Sequence, residues 1–395
     1  MKKVFLGALA MLTLASCSKD ETTSVNRDGD EIAFGVVANK GTRATDVYCN
    51  NNLPGSFKVW AKYDNKTYID GDEIKKTADN KWENQSGTRY WPNEGDVDFY
   101  AHVNAGDAFQ WNLTAPTIRN FTVASEVENQ VDLLYAVKIG QNKVANAGQV
   151  KLNFRHALSQ IVFQAKNTNA NLYVEISGVK VCKVASTNTF TYPTANTDNN
   201  IENHDGTTGS ITYDGSWGTW DELTSGTSQY EVGFDAVPVN GNNTTISLTS
   251  TPDTGKEFSK KAMLLLPQKT TKWDVEATDA EGTPAEQTGS YFLVKCQIWN
   301  VAGDTVDKTN DVCLWGKDGA ADIAIPVAFT WEQGKKYIYT FVFGKGNGGY
   351  DPDPDPEDPD PTPVLVPITF DVTVDDFVPV TEEELETGVP ATSGN

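Results

Sequence analysis

The feature that most restricts the fold of this chain is a two-residue alternation of apolar and polar side chains, repeated along most of its length. It runs through Phe57-Lys58-Val59-Trp60-Ala61-Lys62-Tyr63, Val97-Asp98-Phe99-Tyr100-Ala101 and Val150-Lys151-Leu152-Asn153-Phe154. It recurs in Tyr173-Val174-Glu175-Ile176, Tyr291-Phe292-Leu293-Val294 and residues 337–343. Successive side chains of a strand point to opposite faces, so this period gives each strand one apolar face to bury. Turn formers interrupt the runs, as in Asn51-Asn52-Leu53-Pro54-Gly55 and Asn240-Gly241-Asn242-Asn243. Short strands punctuated by turns predict an all-β body of sandwiches or open barrels. No ordinary amphipathic helix stands out, and residues 157–164, of mixed character, read as strand.

A chain of 395 residues is long enough for two domains of ordinary size. Two sandwiches in tandem are the simplest arrangement, with a boundary near residue 148 after the loop 141–148, or alternatively near residue 187. Residues 191–228 are rich in Asn, Thr, Gly and Ser and read as a surface excursion with room for one hairpin. Trp217 and Trp220 lie inside it, either pinning the loop to the body or offering a platform for a sugar. The formal charge of -22 at pH 7 suits solubility and argues against nucleic acid and anionic lipid surfaces as partners.

The two ends carry the most specific signals. Lys2 and Lys3 precede an apolar run over residues 4–14. That run falls short of the roughly 20 residues a membrane-spanning helix needs. It ends in Leu14-Ala15-Ser16-Cys17, which resembles a bacterial lipobox, so residues 1–16 read as a signal peptide and Cys17 as the acylated first residue of the mature chain. Ser18-Lys19-Asp20-Glu21 resembles the signal that sends Bacteroidetes lipoproteins to the outer leaflet. At the other end, a glycine-rich stretch, Gly344-Lys345-Gly346-Asn347-Gly348-Gly349, lacks the helix and Lys-Ser/Thr of a phosphate loop and reads as a hinge. Asp351-Pro352-Asp353-Pro354-Asp355-Pro356 opens a proline-alternating segment that continues to Pro363. Such a segment favours an extended rod, reaching roughly 40 Å over about thirteen residues. The aspartates along a rod do not converge on one calcium ion.

Beyond that rod the chain alternates again, with Ile368, Phe370, Val372 and Val374 on one face, followed by Phe377, Val378 and Val380. A lone strand of this kind exposes an apolar face and an unpaired edge, so it needs a sheet to join, and another copy of the chain is the natural supplier. Pro367-Ile368-Thr369-Phe370-Asp371-Val372 repeats the spacing of Glu31-Ile32-Ala33-Phe34-Gly35-Val36. Two segments presenting Ile, Phe and Val on one face can fill one groove. The expectation is that the C-terminal strand of one subunit replaces Ile32, Phe34 and Val36 of the next, once cleavage in Thr42-Arg43-Ala44 frees them.

Nothing in the sequence singles out catalytic chemistry, and an enzyme is not expected. His102 and His156 lie in strand patterns, and His204 lies beside Asp205 in the polar excursion. Neither a Gly-x-Ser-x-Gly elbow nor a His-Glu-x-x-His pair occurs. Cys49, Cys182, Cys296 and Cys313 are irregularly spaced, which does not suit a zinc site. Cys296 and Cys313 fall on neighbouring strand-like segments and are placed either to pair or to stay as buried thiols. No cofactor or metal is expected. Asp304-Thr305-Val306 resembles a Bacteroidetes O-glycosylation acceptor.

Together these segments resemble the fimbrillin family of Bacteroidales, the type V pilins. The resemblance is carried by the lipobox, Ile32-x-Phe34 before Thr42-Arg43-Ala44, Tyr90-Trp91-Pro92, and Asp132-Leu133-Leu134-Tyr135-Ala136. It continues in Phe154-Arg155-His156-Ala157-Leu158-Ser159-Gln160-Ile161 and Trp331-Glu332-Gln333-Gly334. It implies two tandem transthyretin-like β-sandwich domains, 44–148 and 149–345, a propeptide 17–43, a linker 346–363, and a donor strand with an acidic tail over 364–395. It implies a lipid-anchored precursor at the outer membrane, cleavage between Arg43 and Ala44 by an arginine-specific protease, and a fimbrium built with other subunits to support adhesion. A donor burying about seven apolar side chains contributes on the order of 10–20 kcal/mol before ordering. The chain has both the removable strand and the donor that a shaft subunit needs. The alternatives are an anchor subunit that keeps its lipid, and a monomeric glycan-binding lipoprotein using Trp217 and Trp220.

Overall fold

A computed structural model describes residues 31–38, 54–78, 81–146, 149–197, 216–249, 262–277, 289–302, 306–346, 348–352, 363–364 and 366–376. The first strands are β1 (Ala33–Ala38), β2 (Ser56–Tyr63), β3 (Lys66–Lys76), β4 (Trp82–Asn84), β5 (Val97–Val103), β6 (Phe109–Gln110) and β7 (Thr117–Thr122). Next come β8 (Leu134–Gln141), β9 (Gln149–His156), β10 (Ser159–Asn167), β11 (Leu172–Val184), β12 (Thr187–Thr191), β13 (Thr219–Trp220) and β14 (Ser228–Asn240). The last are β15 (Ile246–Ser247), β16 (Met263–Leu265), β17 (Tyr291–Asn300), β18 (Val312–Trp315), β19 (Ala321–Pro326), β20 (Lys335–Phe343) and β21 (Ile368–Asp376). The only α-helix among the described residues is the short Lys143–Asn146. Every alternating run read from the sequence is a strand, including residues 159–164 of the stretch with mixed character.

The described strands form four sheets. A seven-stranded sheet has the order β1-β9-β8-β5-β2-β3-β4, and a small sheet has the order β13-β12-β7-β6. The second half contains β15-β10-β20-β21, with β16 also on β10, and β14-β11-β17-β18, with β19 also on β17. The two-residue period distributes side chains to two cores. Phe57, Val59 and Ala61 of β2 enter a core with Phe99, Trp91 and Phe154, while Trp60 enters a larger one with Tyr100, Tyr135, Phe163 and Phe292. The seven-stranded sheet is thus apolar on both faces. This accounts for consecutive buried residues such as Phe99-Tyr100-Ala101, where a one-sided sheet would alternate.

Strand pairing runs across both candidate boundaries. β9, which follows residue 148, pairs β8 and β1 in the first sheet, so the chain crosses over at Ala157 and Leu158. β10 and β11 belong to the sheets of the second half, while β12, which starts at residue 187, returns to pair β7. The edge that β9 supplies is what β1 requires, which a cut at residue 148 would remove.

The C-terminal segment also departs from expectation. The proline-rich stretch does not carry the strand away from its body, because Tyr350 pairs with Pro363 and the Val364 amide donates to the Gly349 carbonyl at 2.8 Å. β21 then lies antiparallel on β20 of its own chain, from Lys335↔Asp376 to Phe343↔Ile368. Val364, Val366 and Ile368 are buried there. An unpaired β20 edge and a tethered apolar strand satisfy each other, because tethering keeps the strand's local concentration high. The glycine-rich hinge makes the return possible. Gly346 and Gly348 have φ of 94° and 88°, and a Cβ on Gly348 would lie 2.4 Å from the Val364 carbonyl oxygen.

His102 is structural. It is 3% exposed and stacks on Trp60 at 5.1 Å between ring centroids. Burial, aided by the positive charge of Lys58, pushes its pKa down to about 4. The native chain therefore holds His102 neutral where the unfolded chain, titrating near ~6.5, binds a proton. Its contribution is complete above ~6.5 and is lost as pH falls toward about 4, a change of about 3 kcal/mol at ~1.4 kcal/mol per unit. Urea unfolding between pH 7 and pH 4 should find a shallower loss of stability in His102→Leu than in the native chain.

Candidate functional site

The site with the clearest functional geometry is the groove that β1 fills. β1 runs parallel to β9, in register from Ala33↔Gln149 to Ala38↔Phe154. On its other side the Ile32 amide donates to the Arg89 carbonyl at 2.8 Å, and Glu31 bridges Tyr90. Ile32 and Phe34 are 7% and 3% exposed. The Phe34 ring meets Phe57 and Phe99 edge-on, at 6.0 and 5.9 Å. Val36 packs against the same core, half-buried. A terminal edge strand thus supplies core side chains, and its loss would open a socket without breaking any other strand pairing in the sheet.

The wall opposite β9 is held by charge. Arg89 grips Asp72 through two hydrogen bonds, of 2.7 and 2.8 Å, and the Asn84 amide adds a third at 2.7 Å. Burial acts to raise the Asp72 carboxyl pKa, but the hydrogen bonds from Arg89 and Asn84 outweigh it and hold the pKa low. The Tyr68 hydroxyl donates to the Tyr90 carbonyl, and Trp91 packs edge-on against Phe99 at 5.9 Å. Tyr90-Trp91-Pro92 was legible as a motif, but the Asp72–Arg89 clasp was not, because its residues are 17 positions apart on a strand and a loop.

β21 is seated less completely than β1. Ile368 is buried, and Phe370 is half-buried between Phe292 and Tyr339 at 5.9 and 6.0 Å. Val372 and Val374, on the same face, are 48% and 52% exposed. β21 ends its sheet, so its outer edge has no neighbouring strand among the described residues.

The other motifs converge where the halves meet. The His156 imidazole and the Asp132 carboxylate lie 3.0 Å apart and both are buried. The Tyr135 hydroxyl donates to Gln333 Oε1 at 3.1 Å and accepts from the Gly218 amide at 3.0 Å, while Gln333 Nε2 donates to the Gly218 carbonyl at 2.6 Å. The Arg155 guanidinium lies 4.1 Å from the centre of the Trp217 ring. The Trp220 indole donates to the Ala157 carbonyl at 2.7 Å. Both tryptophans therefore engage the body, and β12 pairs antiparallel with β13.

Cys296 and Cys313 are free thiols, as is Cys182. Cys313 pairs with Trp299, three residues from Cys296, and its thiol donates to the Trp315 carbonyl at 3.2 Å. Burial pushes the Cys182 thiol up to about 12 and raises that of Cys296 further, so both are unreactive. Cys17, Arg43, Ala44, Cys49, His204, Asp304, Thr305 and Phe377 lie outside the described residues.

Fold and groove define an all-β protein whose first core is closed by its leading strand. The chain belongs to the fimbrillin-like family, whose model matches residues 22–353. The crystal structure of a fimbrial protein from Bacteroides vulgatus shares the fold, with a TM-score of 0.53 and 12% identity, over 88% of this chain and 99% of that one. The fimbrial anchor protein Mfa2 from Porphyromonas gingivalis aligns over 87% of this chain and 98% of its own, at 10% identity and a TM-score of 0.28. No curated protein matches the chain.

The two aromatic anchors should differ in weight. Phe34→Ala should lower the unfolding free energy of the uncleaved chain by about 3–5 kcal/mol, as for a buried phenylalanine. Phe370→Ala, at a half-covered position, should cost about 1–2 kcal/mol. Chemical denaturation of the two variants checks the order.

Proposed function

We propose that this chain is a structural subunit of a cell-surface fimbria, polymerised by strand exchange. Membership of the fimbrillin-like family supports a role as a fimbrial subunit at the cell surface, and with it a non-enzymatic one. In this reading the precursor is exported as a lipoprotein acylated on Cys17 and held at the outer membrane. An arginine-specific protease cuts between Arg43 and Ala44. β1 leaves with its lipid, and the segment from 364 to 380 of another copy enters the vacated groove. Ile368, Phe370, Val372, Val374 and Phe377 then serve as the donor face, in a fimbrium that supports adhesion.

One observation carries this reading. Ile32 and Phe34 complete a core from an edge strand, and Ile368 and Phe370 repeat their spacing on a second edge strand that its own body covers only in part. An edge strand can be replaced without rebuilding the sheet, and main-chain hydrogen bonds are re-formed by whichever strand takes the seat. The donor must first leave β20, so exchange trades one set of ladder bonds for another. A shaft role fits a chain that has both strands. The glycan-binding alternative is not favoured, because Trp220 is buried and hydrogen-bonded and Trp217 is engaged with Arg155.

N-terminal sequencing of the surface form should find a start at Ala44. An acylated Cys17 on all of the protein would instead indicate an anchor or a lone lipoprotein. A trimmed chain ending at Ile368 keeps the buried Val364, Val366 and Ile368, so it should stay folded yet form no polymers by size-exclusion chromatography. If trimmed full-length protein stays monomeric, or the truncated chain polymerises equally well, strand exchange is not the mechanism.

A further inference from the structure

The parallel register of β1 on β9 makes the exchanged strand's alignment specific. If Phe370 takes the Phe34 socket in the direction of β1, then Ile368 takes the place of Ile32 and Val372 that of Val36. Asp371 then takes the place of Gly35, whose register partner on β9 is Lys151. The Lys151 side chain is exposed, and among the described residues no hydrogen bond or ion pair engages it. In its own body Asp371 is 70% exposed and lies 3.7 Å from Lys166, a loose surface contact. A side chain at the Gly35 position would meet only the end of Gln149, 3.2 Å from the added Cβ, which can swing aside.

Resting on the proposed strand exchange, we infer that Phe370 of the donor occupies the seat of Phe34, so that Asp371 faces Lys151 of the receiving copy. The apolar face fixes which side of the strand points inward, but a slip of two residues keeps that side inward. The Asp371–Lys151 contact breaks this ambiguity. A slip in either direction would place Thr369 or Thr373 across from Lys151, and neither carries a charge. Opposite charges across a strand pair stabilise the aligned register, and like charges there are unfavourable. Val372 and Val374, exposed on β21, enter the receiving groove in the same alignment. The partner this surface fits is therefore a second copy of the same chain with its first strand removed.

Charge reversal tests the register on the full chain trimmed after Arg43. Lys151→Glu and Asp371→Lys, each alone, should slow polymer growth roughly three- to tenfold at low ionic strength. The double variant, carrying both reversals in every copy, should return to within about twofold of the native rate, and the defects should shrink as salt is added. Thermal unfolding of the untrimmed variants should match the native chain, since both side chains are exposed. An unchanged rate in Lys151→Glu, or no rescue in the double variant, overturns this alignment while leaving strand exchange standing. A native chain that never polymerises after trimming overturns the exchange itself.

Discussion

The structure depends on the contact between β1 and β9. It closes the first core from an edge, with one parallel ladder on one side and the Arg89 carbonyl on the other. An edge strand is held on only one flank by its sheet, so its retention rests on what its side chains bury. Here Ile32 and Phe34 reach the centre of a cluster that includes Phe57, Phe99 and Phe154. The Asp72–Arg89 clasp and Trp91, which build part of the groove wall, belong to other elements. A socket organised independently of its occupant can accept a different occupant of the same shape.

A polar seam joins the two halves. Asp132 and His156 pair in a dry environment, and Tyr135, Gln333 and Gly218 satisfy one another's hydrogen bonds. Buried polar groups are tolerated when their partners are in place, and the directionality of hydrogen bonds then fixes one arrangement of the packed sheets. Apolar packing across the larger core joins the same surfaces without dictating their alignment.

The alternating strands were legible because a period of two is a local property, and β2, β5, β9, β17 and β20 lie on residues that show it. The likeness of Ile32-x-Phe34 to Ile368-x-Phe370 was legible for the same reason. The change of halves was not, because strand pairing is non-local: β12 joins β7 across 65 or more positions, and β9 answers to β1 rather than to its sequence neighbour β10. Within one chain β21 lies on β20, a pairing that no local pattern announced. A proline-alternating segment favours extension, yet Tyr350 bridges Pro363, so the residues that flank it lie side by side. The β20 edge that β21 meets is presented only by the folded body.

The sequence by itself determined that the chain is all-β and that two distant segments carry the same apolar face. These follow from side-chain periodicity and turn chemistry, which are set residue by residue. Only the tertiary structure decided which edges meet. It placed β1 beside β9, gathered Asp72 and Arg89 into a wall, brought Asp132 to His156, and left Val372 and Val374 uncovered. Hydrogen-bond ladders and close packing join residues far apart in the chain, and no local pattern specifies which of several compatible edges a strand will find.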